Sequence, residues 1–275
     1  MIRLVATDLD GTALRTWPHK PPVSDRLVAA VASVRKAGIP VVVVTGRSRR
    51  SAADLARTIG ADRLICSNGA LVWDLDSDEV VRHRSFDPAV AHGIAARLRA
   101  VAPSVAFSWE SHDTFGWEAE FDARWGGVRK DWHRTEPGPV EERCSYPLIK
   151  LIASLHGDPV EQQRIFDDLL PLLPELVGEE AHFTTAGGAW VEIGPAGITK
   201  AVTLAEVAAE LGVGAADVIA FGDAPNDIAM LEWAGRGVAM ANADPEVLAI
   251  ADEVTKSNDE DGLALVLESL ATQEP

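Results

Sequence analysis

At 275 residues the chain is long for one domain and sufficient for two, and its 47% apolar and 24% charged residues are ordinary for a globular protein. The formal net charge of −17 and the pI near 4.8 argue against nucleic acid or an anionic membrane surface as a partner, because both need a basic surface. No apolar run approaches ~18 residues and no basic leader precedes one, so we expect a cytoplasmic protein. The two cysteines, Cys66 and Cys144, are expected to be reduced and buried.

The first predicted element is a short buried strand over residues 2–6. Asp8 and Asp10 follow it directly, and Gly11 allows a sharp turn after them. Two carboxylates this close are costly to bury unless a cation neutralises them, and Mg²⁺ takes oxygen ligands of this kind. Acidic residues make up 42 of the 275, so the pair alone also fits an exposed turn.

The next elements alternate between helices and strands. Ser24 is a suitable N-cap for a helix that ends at Gly38. The β-branched run from Ile39 to Val44 predicts a strand buried on both faces, as in parallel sheets, and it ends at Thr45-Gly46-Arg47. A second helix over about 49–59 follows it.

A third strand, at residues 64–66, ends in Ser67-Asn68-Gly69. Three strand-and-turn units within the first 70 residues predict a doubly wound α/β core with a parallel, Rossmann-like sheet. Such sheets bind their ligands at the carboxyl ends of the strands.

The pattern changes after residue 72. Short alternating runs, such as 80–84 and 149–152, surround helix-like stretches at about 88–101 and 159–170, which predicts an antiparallel sheet with helices. We therefore assign residues 73–191 to an inserted α+β domain, and residues 1–72 with 192–275 to the core.

The parallel pattern resumes with a helix that begins at Lys200 and a buried strand over 218–221. That strand ends in the oxygen-rich turn Gly222-Asp223-Ala224-Pro225-Asn226-Asp227. A later strand leads to Asn242.

Each polar residue at a strand end has a structural and a chemical interpretation. Asp8 is either a surface carboxylate or a nucleophile toward phosphorus. Asp10 either caps the turn or acts as a general acid and base. Thr45 and Gly46 fit a simple turn, or a hydroxyl and an N–H that bind a phosphate oxygen near a helix N-terminus. Asn68, like Asn242, fits a turn residue or a hydrogen-bonding partner of phosphate or substrate.

Lys200 is the most informative of these residues. A cation in the first turn of a helix opposes the helix dipole, so a bound anion is one explanation of its position and solvent exposure is the other. With no anion bound, we expect replacement of Lys200 by Ala or Gln to leave the stability of the protein unchanged or slightly higher.

The order and spacing of these motifs resemble those of the haloacid dehalogenase-like phosphohydrolases, in the form typical of the Cof-like subgroup with its large type IIB cap. The matching segments are Asp8-Leu9-Asp10-Gly11-Thr12, Thr45-Gly46-Arg47, Ser67-Asn68-Gly69-Ala70, Val191-Glu192-Ile193, Lys200, and Gly222 to Asp227 followed by Ile228-Ala229-Met230-Leu231. The inserted domain matches the cap in position and size.

The resemblance implies a Mg²⁺-dependent phosphatase that hydrolyses small phosphate monoesters, such as sugar phosphates and related metabolites, through an aspartyl-phosphate. It implies that Asp8 is the nucleophile and Asp10 the acid and base. Mg²⁺ would be held by Asp8, the backbone carbonyl of Asp10 and Asp223, with Asn226 or Asp227 near it.

The resemblance also implies a set of residues that bind the phosphoryl group and the substrate. These are Thr45 and Lys200, with Gly11, Gly46, Arg47, Asn68 and Asn226. Leaving-group selection would fall to the inserted domain, chiefly to its tryptophan-rich segment 109–132 with Trp125 and Arg129; the alternative is that these tryptophans form that domain's core.

Two other functions fit the same motifs. A phosphomutase of the same superfamily would return the phosphoryl group to the sugar. A phospho-acceptor signalling domain also places Asp, Thr and Lys at strand ends, but such domains are about half this length and lack a cap.

Overall fold

The computed structural model describes residues 1–16, 22–111, 114–121, 137–185 and 190–271. The chain forms two compact units, one of residues 1–82 with 199–275 and one of residues 83–198. The first is a parallel-sheet α/β core and the second an α+β insert, so the predicted fold class is confirmed.

The described strands, in chain order, are β1 (Leu4–Thr7), β2 (Val41–Val44), β3 (Arg63–Cys66), β4 (Leu71–Asp74), β5 (Glu79–His83), β6 (Val105–Glu110), β7 (Phe115–Trp117), β8 (Lys150–Leu155), β9 (Ala181–Thr184), β10 (Trp190–Pro195), β11 (Val218–Gly222), β12 (Arg236–Ala239) and β13 (Glu253–Val254). The described helices are α1 (Asp25–Lys36), α2 (Arg49–Ile59), α3 (Pro88–Val101), α4 (Val140–Arg143), α5 (Pro159–Leu169), α6 (Leu173–Val177), α7 (Lys200–Glu210), α8 (Ile228–Trp233), α9 (Pro245–Ile250) and α10 (Gly262–Ala271).

The core sheet has eight strands in the order β13-β12-β11-β1-β2-β3-β4-β5. The six strands from β13 to β3 pair in parallel, and β1 lies between β2 and β11. The four valines of β2 and all four residues of β1 are buried, as expected for strands covered on both faces. The carboxyl ends of β1, β2, β3 and β11 therefore lie at one edge of the sheet.

The strands β4 and β5 extend this same sheet rather than the sheet of the insert. β4 pairs antiparallel with β3, with Leu71 opposite Cys66. The domain boundaries expected from the sequence, after residues 72 and 191, fall inside β4 and β10, whereas each of these strands pairs along its length within one sheet.

The first two helices begin and end at the residues that the sequence marked. Ser24 Oγ accepts a hydrogen bond from the N–H of Leu27 at 3.1 Å, which caps α1. Gly38 follows α1 with φ of +81°, and Gly60 ends α2 in the left-handed conformation.

The insert contains a five-stranded antiparallel sheet in the order β7-β6-β8-β10-β9. Trp109 is fully buried in an apolar cluster with Phe107 and with Ile94 of α3, so this tryptophan belongs to the core of the insert. Trp125 and Arg129, to which leaving-group selection was assigned, lie outside the described residues.

The expectation for the cysteines is met. Both cysteines are buried and neither forms a disulfide. None of the described helices combines the length and the apolar character that crossing a bilayer requires.

Candidate active site

The predicted site residues lie where the core strands end. Asp8 follows β1, Thr45 follows β2 and Asp223 follows β11, while Lys200 is the first residue of α7. Because neighbouring parallel strands end at the same edge, residues up to 215 positions apart in sequence are brought together.

Lys200 joins two carboxylates in the interior. Its Nζ donates hydrogen bonds to Asp8 Oδ1 at 2.8 Å and to Asp227 Oδ1 at 2.7 Å. The side chains of Lys200, Asp8 and Asp227 are only 2%, 6% and 0% exposed. Burial acts to lower the pKa of Lys200, but the charges of Asp227 and Asp8 outweigh it and hold that pKa above its usual value.

These contacts reverse the expectation drawn from the helix dipole. The dipole term at a helix N-terminus is worth about 1 kcal/mol or less, whereas an uncompensated charge in the interior costs several kcal/mol. Lys200 is therefore a structural counter-ion of the unliganded core as well as a candidate for phosphate binding, and its replacement should destabilise the protein.

Asp227 also orders the turn after β11. Its Oδ2 accepts hydrogen bonds from the N–H groups of Asp223 and Ala224, both at 3.1 Å. With Oδ1 bound by Lys200, both carboxylate oxygens of Asp227 are engaged by the protein. Gly222 makes this possible, because a Cβ there would lie 2.5 Å from Asp227 Cβ.

Asp223 contacts the turn that follows β1. Its Oδ1 accepts a hydrogen bond from Thr12 Oγ1 at 2.7 Å. Gly11 has φ of +72°, and a Cβ at Gly11 would lie 2.1 Å from Asp223 Oδ2. The close approach of these two segments therefore requires glycine at position 11. Thr12, a member of the first motif to which the sequence assigned no role, thus positions Asp223 through its hydroxyl.

The carboxylates of Asp8, Asp223 and Asp227 form a cluster whose ligand oxygens all lie within 4.8 Å of one another. Burial raises the pKa of Asp8 to about 8, although the ammonium of Lys200 acts in the opposite direction. Burial likewise raises the pKa of Asp223 to about 7, against the hydrogen bond from Thr12.

This cluster fits a divalent cation. Within the described part of the chain, three carboxylates share the single ammonium of Lys200, which leaves two negative charges without a bonded cation. Burial is the main cause of the raised pKa values of Asp8 and Asp223, and the neighbouring charge of Asp227 adds to it. Carboxylate oxygens are the ligands that Mg²⁺ takes in proteins.

The side chain of Asp10 lies apart from this cluster. It is 57% exposed and forms a bidentate ion pair with Arg47, with Nε to Oδ2 at 2.6 Å and a terminal nitrogen to Oδ1 at 2.5 Å. The N–H of Arg47 donates to the buried hydroxyl of Thr45 at 3.1 Å. Gly46 lies between them in the turn after β2.

The asparagines take two different positions. Asn226 Nδ2 donates to Asn68 Oδ1 at 3.3 Å, which brings the turn after β3 to the turn after β11. Asn242 instead donates to the carbonyl of Gly11 at 2.8 Å and accepts from the N–H of Asn258 at 3.0 Å. Both ends of its amide are thus occupied by backbone groups, so Asn242 supports the turn after β1.

The sequence matches known proteins over almost the whole chain. A family model described as haloacid dehalogenase-like hydrolase matches residues 5–267. The chain is 30% identical over 267 residues to the 5-amino-6-(5-phospho-D-ribitylamino)uracil phosphatase YcsE of Bacillus subtilis (strain 168), a match that covers 96% of this chain and 93% of that protein.

Two solved structures share the fold over nearly the whole chain. TM0651 from Thermotoga maritima has a TM-score of 0.78 at 25% identity, covering 99% of each chain. BT1666 from Bacteroides thetaiotaomicron, described among the phosphatases of the haloalkanoate enzyme superfamily, has a TM-score of 0.77 at 25% identity and covers 98% of this chain and 95% of its own.

Proposed function

This chain belongs to the haloacid dehalogenase-like hydrolase family and is a phosphoric monoester hydrolase, and we propose that it hydrolyses small phosphate monoesters in a Mg²⁺-dependent reaction through an aspartyl-phosphate on Asp8. The observation that carries the proposal is the cluster of Asp8, Asp223 and Asp227, in which the buried Asp8 and Asp227 are bound to Lys200.

Asp8 is the proposed nucleophile. Lys200 holds Oδ1, so Oδ2 is the atom that attacks phosphorus. The bond from phosphorus to the alcohol oxygen breaks, and the departing oxygen takes a proton from Asp10. Asp10 then removes a proton from water, the water oxygen attacks phosphorus, and the bond to Asp8 breaks to release inorganic phosphate.

Asp8, Asp223 and the backbone carbonyl of Asp10 are the proposed ligands of Mg²⁺. When bound, the ion neutralises charge on the phosphoryl oxygens and lets an anionic nucleophile meet an anionic ester. Asp227, whose oxygens are engaged by Lys200 and by backbone N–H groups, maintains the shape of the turn that carries Asp223.

Arg47 has two competing anionic partners in this scheme. In the unliganded protein it pairs with Asp10, and the phosphoryl group of a bound substrate would compete for the same guanidinium. We assign Arg47 to the phosphoryl group of the substrate, together with Thr45, Gly46 and Lys200. Substrate binding would then draw Arg47 away from Asp10 and leave the Asp10 side chain free to reach the departing oxygen.

We propose sugar phosphates and related small metabolites as the substrate class. YcsE is named for a compound in which a phosphorylated sugar alcohol is joined to a pyrimidine. That compound belongs in the substrate panel beside simple sugar phosphates and an aryl phosphate.

The test is release of inorganic phosphate from this panel by chelator-treated protein, with and without added Mg²⁺. We expect release only with Mg²⁺, and none from Asp8→Asn. The matched control is Asp54→Asn, an exposed carboxylate on α2, which should keep full activity. Undiminished release by Asp8→Asn, or in excess chelator, contradicts the proposal; an isomerised sugar phosphate without free phosphate identifies a mutase instead.

A further inference from the structure

The turn Ser67–Gly69, which follows β3, contacts two of the other segments of the site through backbone hydrogen bonds. The N–H of Ser67 donates to the carbonyl of Arg47 at 2.8 Å, and the N–H of Asn68 to the carbonyl of Thr45 at 3.1 Å. The carbonyl of Gly69 accepts a hydrogen bond from Thr203 Oγ1 of α7 at 2.9 Å. The turn is therefore hydrogen-bonded both to the segment after β2 and to α7, the helix that begins with Lys200.

This turn has an unusual backbone. Ser67, Asn68 and Gly69 have φ values of +50°, +54° and +106°, and positive φ is uncommon for residues other than glycine. Asn is among the side chains that tolerate this region best. At Gly69 a Cβ would lie 2.5 Å from the carbonyl oxygen of Thr199, the N-cap of α7, so the close contact with that helix requires glycine.

The side chain of Asn68 reaches a third segment. Its Oδ1 accepts a hydrogen bond from Asn226 Nδ2 at 3.3 Å. An amide has a donor end and an acceptor end, so Asn226, with its NH₂ group directed to Asn68, turns its oxygen the other way. That oxygen is buried and has no hydrogen-bond partner within the described part of the chain.

Buried polar atoms in proteins nearly always have a partner, which can be an ordered water or an ion, so this oxygen is available as a ligand. Asn226 lies in the turn after β11 that carries Asp223 and Asp227, two of the three members of the carboxylate cluster. A carbonyl oxygen cannot donate a hydrogen bond to a phosphoryl oxygen, but it is a suitable ligand for a hard cation.

We propose that Asn68 is a positioning residue that orients the amide of Asn226 so that its oxygen, and not its NH₂ group, faces bound Mg²⁺. The inference rests on the proposed Mg²⁺ site, and it assigns Asn226 to the cation side of the site rather than to the phosphate. Asn68 itself does not touch the ion. The left-handed turn fixes the place from which its side chain reaches Asn226.

The test measures the affinity of chelator-treated protein for Mg²⁺ alone, by titration calorimetry and by the Mg²⁺-dependent rise in Tm. Asn68→Gly removes the side chain but suits the left-handed backbone, so the turn should persist. We expect it to weaken Mg²⁺ binding about tenfold or more, the usual effect of losing a group that orients a ligand. Asn68→Asp keeps an acceptor for Asn226 Nδ2 and should bind Mg²⁺ at least as tightly as the wild type.

A double-mutant cycle shows whether Asn68 acts through Asn226. The variant carrying both Asn68→Gly and Asn226→Ala should bind Mg²⁺ no more weakly than Asn226→Ala alone, because the two residues act on one contact. Asp78→Gly is the matched control, since Asp78 is an exposed residue with φ of +60° outside the site. It should leave Mg²⁺ affinity unchanged.

Three results would each overturn the inference. They are an Asn68→Gly variant with wild-type Mg²⁺ affinity, a double variant in which the two losses of Mg²⁺ affinity multiply, and a wild type that does not bind Mg²⁺. Phosphate release, measured on the same proteins, separates it from the proposed function. A wild type that binds Mg²⁺ but releases no phosphate contradicts the phosphatase proposal, while the binding cycle still decides the role of Asn68.

Discussion

Replacement of Lys200 by Met should destabilise the core strongly at neutral pH. The ammonium is 2% exposed and donates to Asp8 and Asp227, so its removal leaves buried carboxylates without their counter-ion. Breaking a buried ion pair in this way costs about 3–5 kcal/mol. For a protein of this size that loss corresponds to a fall in Tm on the order of 10 °C.

The loss should depend on pH. In the variant, the pKa of Asp8 no longer has the ammonium of Lys200 to lower it, so this carboxyl takes up a proton more readily. The wild type loses this proton as pH rises through about 8, whereas the variant keeps it to higher pH, so the deficit in the free energy of unfolding should be larger at pH 9 than at pH 6. Urea unfolding at these two pH values, in chelator, measures it.

Lys256→Met provides the matched control. Lys256 is 65% exposed and its contact with Glu260 is 3.9 Å, so its loss should change stability by about 0.5 kcal/mol or less. Lys200→Met should in addition lower kcat/KM about 100-fold or more, because it removes a charged group that faces the phosphoryl oxygens. A Lys200→Met variant as stable as Lys256→Met at pH 9, or a deficit of equal size at both pH values, refutes the reasoning.

Three further predictions concern the same site. The pKa values of Asp8 and Asp223 are raised from 3.8 to about 8 and about 7, so the folded metal-free protein holds protons that the unfolded chain has released. Its free energy of unfolding should therefore fall as pH rises from about 4 to about 8. Unfolding curves in chelator check this, and added Mg²⁺ should reduce the dependence of stability on pH. Gly11→Ala should abolish Mg²⁺ binding because its Cβ meets Asp223, whereas Gly38→Ala, at φ of +81° with open space around it, should lose about 1 kcal/mol of stability and no activity. Arg47→Lys keeps the charge but loses the bidentate geometry, and should raise KM about tenfold with a smaller change in kcat; an unchanged KM would place Arg47 outside the phosphate site.

The positions of the site residues could be predicted because they follow from buried strands. Runs such as Val41–Val44 are apolar throughout, and the polar residue that ends each run is easy to recognise. Parallel pairing then places Asp8, Thr45 and Asp223 at one edge without further information. Their assembly is thus a consequence of local pattern and sheet topology.

The energetic role of Lys200 could not be read in the same way. A local rule, the helix dipole, was the only interaction that the neighbouring sequence offered. The partners that decide its role are distant along the chain, 192 residues away at Asp8 and 27 at Asp227. Their hydrogen bonds and burial outweigh the dipole term.

The number of strands in the core sheet could not be predicted from the sequence either. Alternating residues predict that 80–84 forms a strand, but the assignment of this strand to the antiparallel sheet of the insert was wrong, because β4 with β5 continues the core sheet past β3. Asn242 shows the same limit for a single side chain. Its place after a strand matched that of Asn68, yet its amide binds the backbone of Gly11 and Asn258.

The central claim is that Asp8 carries the phosphoryl group during turnover. A direct test mixes enzyme, Mg²⁺ and a substrate from the panel and quenches the reaction in acid. The peptides are then analysed by mass spectrometry. We expect one phosphoryl group on the peptide containing Asp8, and none in Asp8→Asn or in chelator. With the aryl phosphate, whose leaving group needs no proton from Asp10, we expect more of the phosphorylated peptide in Asp10→Asn because water is no longer activated. Turnover with no phosphorylated peptide in either the wild type or Asp10→Asn, or a phosphoryl group on another residue, would contradict the account.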